Sequence, residues 1–513
     1  LLSALLLAFQ SPAILHAESI PYRSYIYNAF GDPVASPDGY RPTGAWTGTD
    51  LGAGPLKEPS DLFVAEDGRI FLADTGNGRI LVLDRNLSLV HEIKDLVHPD
   101  GTADTMASPT GVWKVPSGPL FVADRDNRRI LRMTEEGEIL QVIVSPPAEE
   151  VGENFLFQPT KVAVDGTGIL YVMIAGLYRG ALQFDRDGSF LGFFGSNTVG
   201  GGVLTLLQRF NLLFMTRIQR DKQWRSIPQE FSNFDLDARN FLYTCSPSLT
   251  VPIGQIRKMN FAGSNIYRGD TTAAPVAWNR GQYGDLQSAW VRGTEIATTF
   301  VDLDVDANGF VNALDATRGR IFQYDGETTP TFIFGGIGDQ VGTFGRPSAI
   351  ETSGDTILVL DAARNSLTRF EPTPLGRQVR EAILAFRDGR YIESIEPWLQ
   401  VLKTHTNYEP AHVGLGKAYF QMGRYEDAMA HFELGNDPVG RSQAFQGYRA
   451  RFVTDHFPLL AALFAAGAAG LWALARAFAR WKRKRLAGTG TERLSGLGSL
   501  RLLLHPLAEA GLT

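Results

Sequence analysis

A single cysteine, Cys245, stands in 513 residues, so no disulfide can form within the chain. The fold must therefore rest on its own core, and Cys245 reads as a small buried hydrophobe. Histidine is almost as scarce where it would matter. Of eight, only His91 and His98 fall before residue 400 and after the N-terminal apolar run. That distribution excludes a multi-histidine metal centre in the large N-terminal region. The chain has no Gly-x-Ser-x-Gly elbow, no Walker loop and no Cys-His pairing, so serine-hydrolase, P-loop and thiol chemistry lack their motifs. Excess positive charge is missing too: the net charge is −6, which argues against a polyanion partner and leaves no nucleic acid among the expected ligands.

What is plentiful is turn chemistry and apolar surface. There are 54 glycines and 27 prolines, and 44% of residues are hydrophobic, a balance that suits many short strands around a large core. Two apolar segments suggest an address. Residues 1–17 read as a signal peptide: the run Leu1–Phe9 is too short to cross a bilayer, and Ala17 is a small residue at a cleavage position. Phe457–Ala475 is nineteen residues without a charge, with Trp472 near one end, and is long enough to span about 30 Å of hydrocarbon as a helix. Arg480, Lys482, Arg483, Lys484 and Arg485 follow. Positive charge stays inside, so the reading is a single-pass cell-membrane protein with its N-terminal domains extracellular and its C-terminus cytoplasmic.

Between these segments runs an internal repeat. Pro59-Ser60-Asp61-Leu62-Phe63-Val64 and Asp74 to Leu83 recur fifty residues later as Pro109-Thr110-Gly111-Val112-Trp113 and Asp124 to Met133, and again from Pro159. Looser copies begin near Ser232, Val301 and Pro347. Each copy alternates apolar and polar residues over three or four short strands. One such sheet cannot bury both faces alone, and radial packing of six around an axis solves that. The stretch from Tyr22 to Leu56 is placed to close the last blade. Asp74 and Asp124 are expected to accept hydrogen bonds from the backbone of the turn that follows each. Asp165, Asp235, Asp304 and Glu351 are expected in solvated or turn-capping roles.

The pattern Pro-x-x-apolar-x-apolar followed by Asp-x-x-Asn-x-Arg-Ile, clearest at Asp74 to Leu83 and Asp124 to Met133, resembles the NHL repeat over roughly residues 55 to 372. An insertion at 198–229 carries Phe210, Phe214, Arg217, Arg220, Trp224 and Arg225, a candidate binding surface on one face of the ring. After Pro374 the period changes: Asp388-Gly389-Arg390-Tyr391 returns as Met422-Gly423-Arg424-Tyr425. That helix–turn–helix spacing resembles the tetratricopeptide repeat, with Tyr391, Tyr419 and Tyr425 as candidates for a groove at the repeat turns.

The expected fold is thus mainly β: a six-bladed NHL-type propeller over 18–372, a tetratricopeptide-like helical segment over 375–448, a transmembrane helix over 457–479 and a cytoplasmic basic tail over 480–513. The whole resembles bacterial proteins that join these parts and accompany sugar-uptake transporters, and Leu502-Leu503-Leu504-His505-Pro506 resembles the start of a Yip-like membrane domain. The functional expectation is a membrane-anchored extracellular binding or scaffold protein for a carbohydrate, peptide or protein partner, with the anchor in membrane lipid. No catalytic residue, metal ligand or cofactor is assigned. The alternative is an extracellular metal-dependent hydrolase of the lactonase sort, for which three or four carboxylate or Asn side chains would converge on the propeller axis.

Overall fold

In a computed structural model, residues 20–28, 30–177, 180–195, 231–247, 254–267, 282–286, 289–291 and 294–488 are described. The expected signal peptide, the insertion with its six candidate residues, and the tail beyond residue 488 lie outside them.

Six antiparallel sheets follow one another along the chain, in the phase of the repeat. The first is Asp61–Val64, Ile70–Asp74, Arg79–Leu83 and Leu89–Ile93; the second and third repeat that plan from Pro109 and Pro159. The fourth shows three strands among the described residues, from Asn233 to Met259. The fifth starts at Phe300, and the sixth at Pro347. The inner strands pack side by side around an axis, and the sixth, Pro347–Ser353, returns to the first, Asp61–Val64. The ring is closed, as a six-bladed β-propeller.

The N-terminal segment does two jobs. Tyr40–Thr47 pairs antiparallel with Ser366–Pro372 and supplies the outer strand of the sixth blade, the closing strand expected between Tyr22 and Leu56. Ahead of it a hairpin, Tyr25–Tyr27 with Pro33–Ala35, adds to the outer edge of the fifth blade through Tyr25 and Ile333. The sequence pattern did not reveal that addition. The hydroxyls of Tyr25 and Tyr27 donate to the buried Asp285, which Arg318 and Arg320 also engage.

The core lies between blades, where alternate strand residues interdigitate. Cys245 is fully buried there among Tyr243, Ile256 and Phe300, in the apolar role expected of it. Four helices follow the last strand: α1 (Pro374–Arg387), α2 (Tyr391–Thr404), α3 (Glu409–Gln421) and α4 (Tyr425–Leu434). Thr373 caps α1, accepting from Gly376 N while its own hydroxyl donates to Asp38 O. The backbones meet closely there. A Cβ on Gly376 would stand 2.1 Å from Gly39 O, so only glycine fits. The apolar face of α1, with Leu375, Val379 and Ala382, joins the core that holds Tyr40, Phe332 and Val359 of the propeller.

A fifth helix, α5, runs from Pro438 to Gly488. The chain divides into two compact units at Arg441 and Ser442. Most of α5 falls in the second, and it is the one helix among the described residues that is long and apolar enough to cross a membrane. Among the described residues its apolar side chains find no cover: Phe464 is 81% exposed and Leu471 70%. At about 1.5 Å per residue its 51 residues extend well past the hydrocarbon thickness.

Candidate functional site

The inner strands can be aligned on the register break that follows their entry residue, as at Pro109/Gly111, Pro159/Lys161, Phe300/Asp302 and Pro347/Ala349. Four positions in that alignment have distinct jobs. The first, where proline recurs, needs no N–H. The second carries a hydroxyl in every blade but the fifth, where Val301 stands, and in three blades it clips a neighbour: Ser60 Oγ donates to Thr110 O, Thr110 Oγ1 to Pro159 O, and Ser348 Oγ to Pro59 O. The third and fifth positions share one face of each strand and form two successive rings about the axis.

The third-position ring reads Asp61, Gly111, Lys161, Asn233, Asp302 and Ala349 from blade one to six. Lys161 Nζ reaches Asp61 at 2.6 Å, with both side chains buried. Gly111 lies between them, and a Cβ there would stand 2.8 Å from Lys161 Cα. The inner strands have free edges towards the axis, and carboxylates satisfy their N–H groups. Asp61 Oδ2 accepts from Val112 N at 2.8 Å, and Asp302 Oδ2 from Ile350 N at 2.7 Å. Asn233 donates to Asp302 Oδ1 as well.

The fifth-position ring is divided. Blades one to three contribute Phe63, Trp113 and Ala163; blades four to six contribute Asp235, Asp304 and Glu351. Phe63 and Trp113 pack against each other, with centroids 4.6 Å apart and planes inclined at 44°. Asp235 accepts from Val305 N at 2.8 Å, and Asp304 from Asn312 Nδ2 and Thr352 Oγ1. Glu351 has no hydrogen-bond or ion-pair partner among the described residues, although it is only 8% exposed. Trp113 Nε1 is likewise buried without an acceptor.

Charge in this interior is unbalanced. Burial pushes the carboxyl of Asp302 up to about 7 and that of Asp235 up to about 6. Burial and the neighbouring carboxylates hold Asp304 and Glu351 well above the usual carboxylate range. Burial works against the charge on Lys161, but Asp61, Asp302 and Glu351 overcome it and keep the ammonium protonated. For Asp61 itself burial outweighs the pull of Lys161 and the shift is upward. These directions conflict, and the ionised pair is preferred: Lys161 answers to three carboxylates, and Asp61 also accepts a backbone N–H. One lysine thus faces five buried acids.

Just past the inner strand of blade five stands Asp306, which Arg380 of α1 meets at 2.6 Å. Here the propeller turns and the helices bound a cleft of about 310 Å³. Arg377, Arg380, Glu381 and Leu384 line it from one face of α1. Asn308 and Asp355 line it from the turns of blades five and six, and Arg390 and Glu393 from the start of α2. Arg390 is paired with Glu393 and Asp388, whereas among the described residues the Arg377 side chain donates only to Pro372 O.

The residues singled out from sequence fall into place unevenly. Asp74 and Asp124 are fully buried, but their partners differ from expectation. Asp124 Oδ1 accepts from Ala107 N and Ser108 N, which lead into the blade, and Oδ2 accepts from Asn127 and Arg129. Asp74 repeats this with Lys57 N, Asn77 and Arg79. The motif is a latch from the second strand back to the entry of its own blade. Asp165 does cap its turn, through Thr167 N and Ile169 N. Asp235, Asp304 and Glu351 are instead buried at the axis, because ring closure removes the solvent a single strand would leave them. Tyr391 packs on Phe386, Tyr425 on Phe420, and Tyr419 on His431 beneath Arg424. None of the three lines the cleft.

No family model and no curated protein matches the chain. Among solved structures it is similar to virginiamycin B lyase from Staphylococcus aureus, at 10% identity and TM-score 0.38 over 65% of this chain and 100% of that one. A structural genomics protein of unknown function from Bacteroides thetaiotaomicron matches at 11% identity and TM-score 0.38, over 68% and 76%. A protein of unknown function from Bacteroides caccae matches at 10% and 0.35, over 64% and 98%. Likeness at that level transfers no activity.

Proposed function

We propose that this chain is a membrane-anchored recognition protein. Its propeller and helical pairs are held outside the cell and bind a peptide, carbohydrate or protein partner. The observation that carries the reading is the cleft between α1 and the propeller turns at Asn308 and Asp355. It has charged walls of both signs, with Arg377 free of any carboxylate and Glu381 without a salt bridge among the described residues. Such walls suit a polar ligand more than an apolar one. The uncovered apolar surface of α5 supports the anchor. The resemblance to proteins that accompany sugar-uptake transporters makes sugars and sugar-binding partners the first ligands to try.

The axial acids favour a second reading, the metal-dependent hydrolase, only in part. They are numerous, but Asp61, Asp235 and Asp302 each accept at least one backbone N–H that closes the ring. Among the described residues no group of three or more His, Cys, Asp or Glu is placed to hold a metal ion.

The test is a glycan and peptide array on the full chain in nanodiscs, with a lactone hydrolysis assay and metal analysis on the same sample. Binding weakened at least about tenfold by Arg377→Glu supports recognition at the cleft; loss of two charge contacts is of that order. Lactone turnover with a stoichiometric divalent ion would replace this reading with the hydrolase.

A further inference from the structure

We propose that the fifth-position ring of the axis binds a small organic ammonium ion, held by Asp235, Asp304 and Glu351 on one side and by the faces of Phe63 and Trp113 on the other. The inference deepens the recognition reading by naming a ligand class at a place distinct from the cleft.

Three observations carry it. The first is the division of the ring: three consecutive blades present carboxylates, and two of the other three present aromatic rings in contact with each other. A cation with an apolar skirt is the one ligand that both halves attract, by charge on one side and by the ring quadrupoles on the other. The second is Glu351, a side chain more than nine-tenths buried that no donor in the described residues satisfies. Its register places it on the same strand face as the other ring members, beside Asp304 and Asp235, and a buried carboxylate without a donor is costly. The neighbouring cations have their ion pairs with other acids, Lys161 with Asp61 and Arg380 with Asp306, and Lys161 reaches Glu351 only through its field. The third separates an organic cation from a metal. Among the described residues no group of three or more His, Cys, Asp or Glu is placed to hold a metal ion, whereas an ammonium head with N–H or N–CH3 groups bridges acceptors without the close coordination a metal needs. Phe63 keeps partial exposure although it sits on an inner strand, which leaves the aromatic wall open to such a ligand.

The experiment is calorimetry on the full chain in nanodiscs, titrated with methylammonium and tetramethylammonium chloride. Sodium chloride and calcium chloride at matched ionic strength are the comparisons. Saturable binding of an ammonium ion at one site per chain is expected, with sodium silent. Glu351→Gln and Trp113→Leu are each expected to weaken it at least about tenfold, near the upper range for a desolvated cation over an aromatic face. Phe63→Leu is the second aromatic variant, should Trp113→Leu fail to fold, and Asp187→Asn on an exposed turn should change nothing. Equal heats for ammonium and sodium, or tight calcium binding abolished by Glu351→Gln, would overturn the proposal. Array binding that still depends on Arg377 would show that the cleft reading survives such a failure.

Discussion

Arg380 of α1 donates to Asp306 of the fifth blade across 2.6 Å, and the two side chains are only 7% and 1% exposed. This contact joins the helical pairs to the propeller. The guanidinium also lies over the Phe310 ring at 4.2 Å and meets the Tyr40 hydroxyl at 3.3 Å. Helix, blade and N-terminal segment therefore converge on one side chain.

Arg380→Ala is expected to cost about 3–5 kcal/mol, because it strands Asp306 in the interior. Chemical unfolding of the full chain measures it. Arg380→Met should cost nearly as much, since the packing returns but the charge on Asp306 stays unpaired. A loss below about 1 kcal/mol in both would mean that the pair is not structural.

Stability should respond to pH through the axial acids. A buried carboxyl raised to about 7 at Asp302 keeps its proton in the folded chain while the unfolded chain ionises near 3.9. The folded state then binds more protons between those values, so stability falls as pH rises from about 4 to about 7 and levels off above. Asp302→Asn removes that contribution, at most about 1.4 kcal/mol per pH unit. The measurement is the difference in melting temperature between variant and parent across pH 4 to 8. It should shift in favour of Asn with rising pH, and a flat difference would contradict the assignment.

The latch at Asp124 predicts a larger local effect than an exposed turn aspartate would. Asp124→Ala leaves Arg129 without one of its carboxylates and two entry N–H groups unpaired. A loss of about 3–5 kcal/mol is expected, with faster proteolysis of the second blade. Asp187→Ala should stay within about 0.5 kcal/mol. Hydrogen exchange at Ala107 and Ser108 locates the change.

Orientation in the membrane is open to direct test. Replacing Lys482, Arg483, Lys484 and Arg485 by glutamine removes the positive flank that sets the inside. A fraction of chains should then lose the outside location of their propeller. Labelling of a cysteine introduced at Asp187, in cells with intact membranes, reads that fraction. Unchanged labelling would mean that orientation is set elsewhere in the chain.

The propeller was legible because its period is long and its punctuation strong. Pro59, Pro109, Pro159 and Pro347 mark inner-strand entries, and Asp-x-x-Asn-x-Arg marks the second turn in two blades. The fourth and fifth blades start at Phe231 and Phe300 rather than proline, so their copies looked looser although the fifth keeps the same register break. The axial rings were not legible from any one strand. Asp235, Asp304 and Glu351 alternate with Phe234, Leu303 and Ile350 as surface strands do, and only closure of the ring buries both sets. Aligning the six entries would have shown three acids in one column opposite Phe63 and Trp113. The hairpin at Tyr25–Tyr27 pairs with Ile333 at the far end of the propeller, and the α1 cleft joins a helix to turns of two different blades, for which local pattern carries no signal.

The seam between Tyr40–Thr47 and Ser366–Pro372 has a consequence for time rather than shape. Thr43 and Arg369 touch across 326 positions of sequence, so the ring's last strand is nearly the first made. Whichever end of the chain becomes available first must wait for the other before the sixth blade exists. Until then the outer edge of Ser366–Pro372 stands unpaired, and the helices that dock beside Gly39 have nowhere to settle. Completion of the propeller and docking of α1 are therefore a single late event, so a chain without the strand Tyr40–Thr47 would have an open ring and a loose helical segment together.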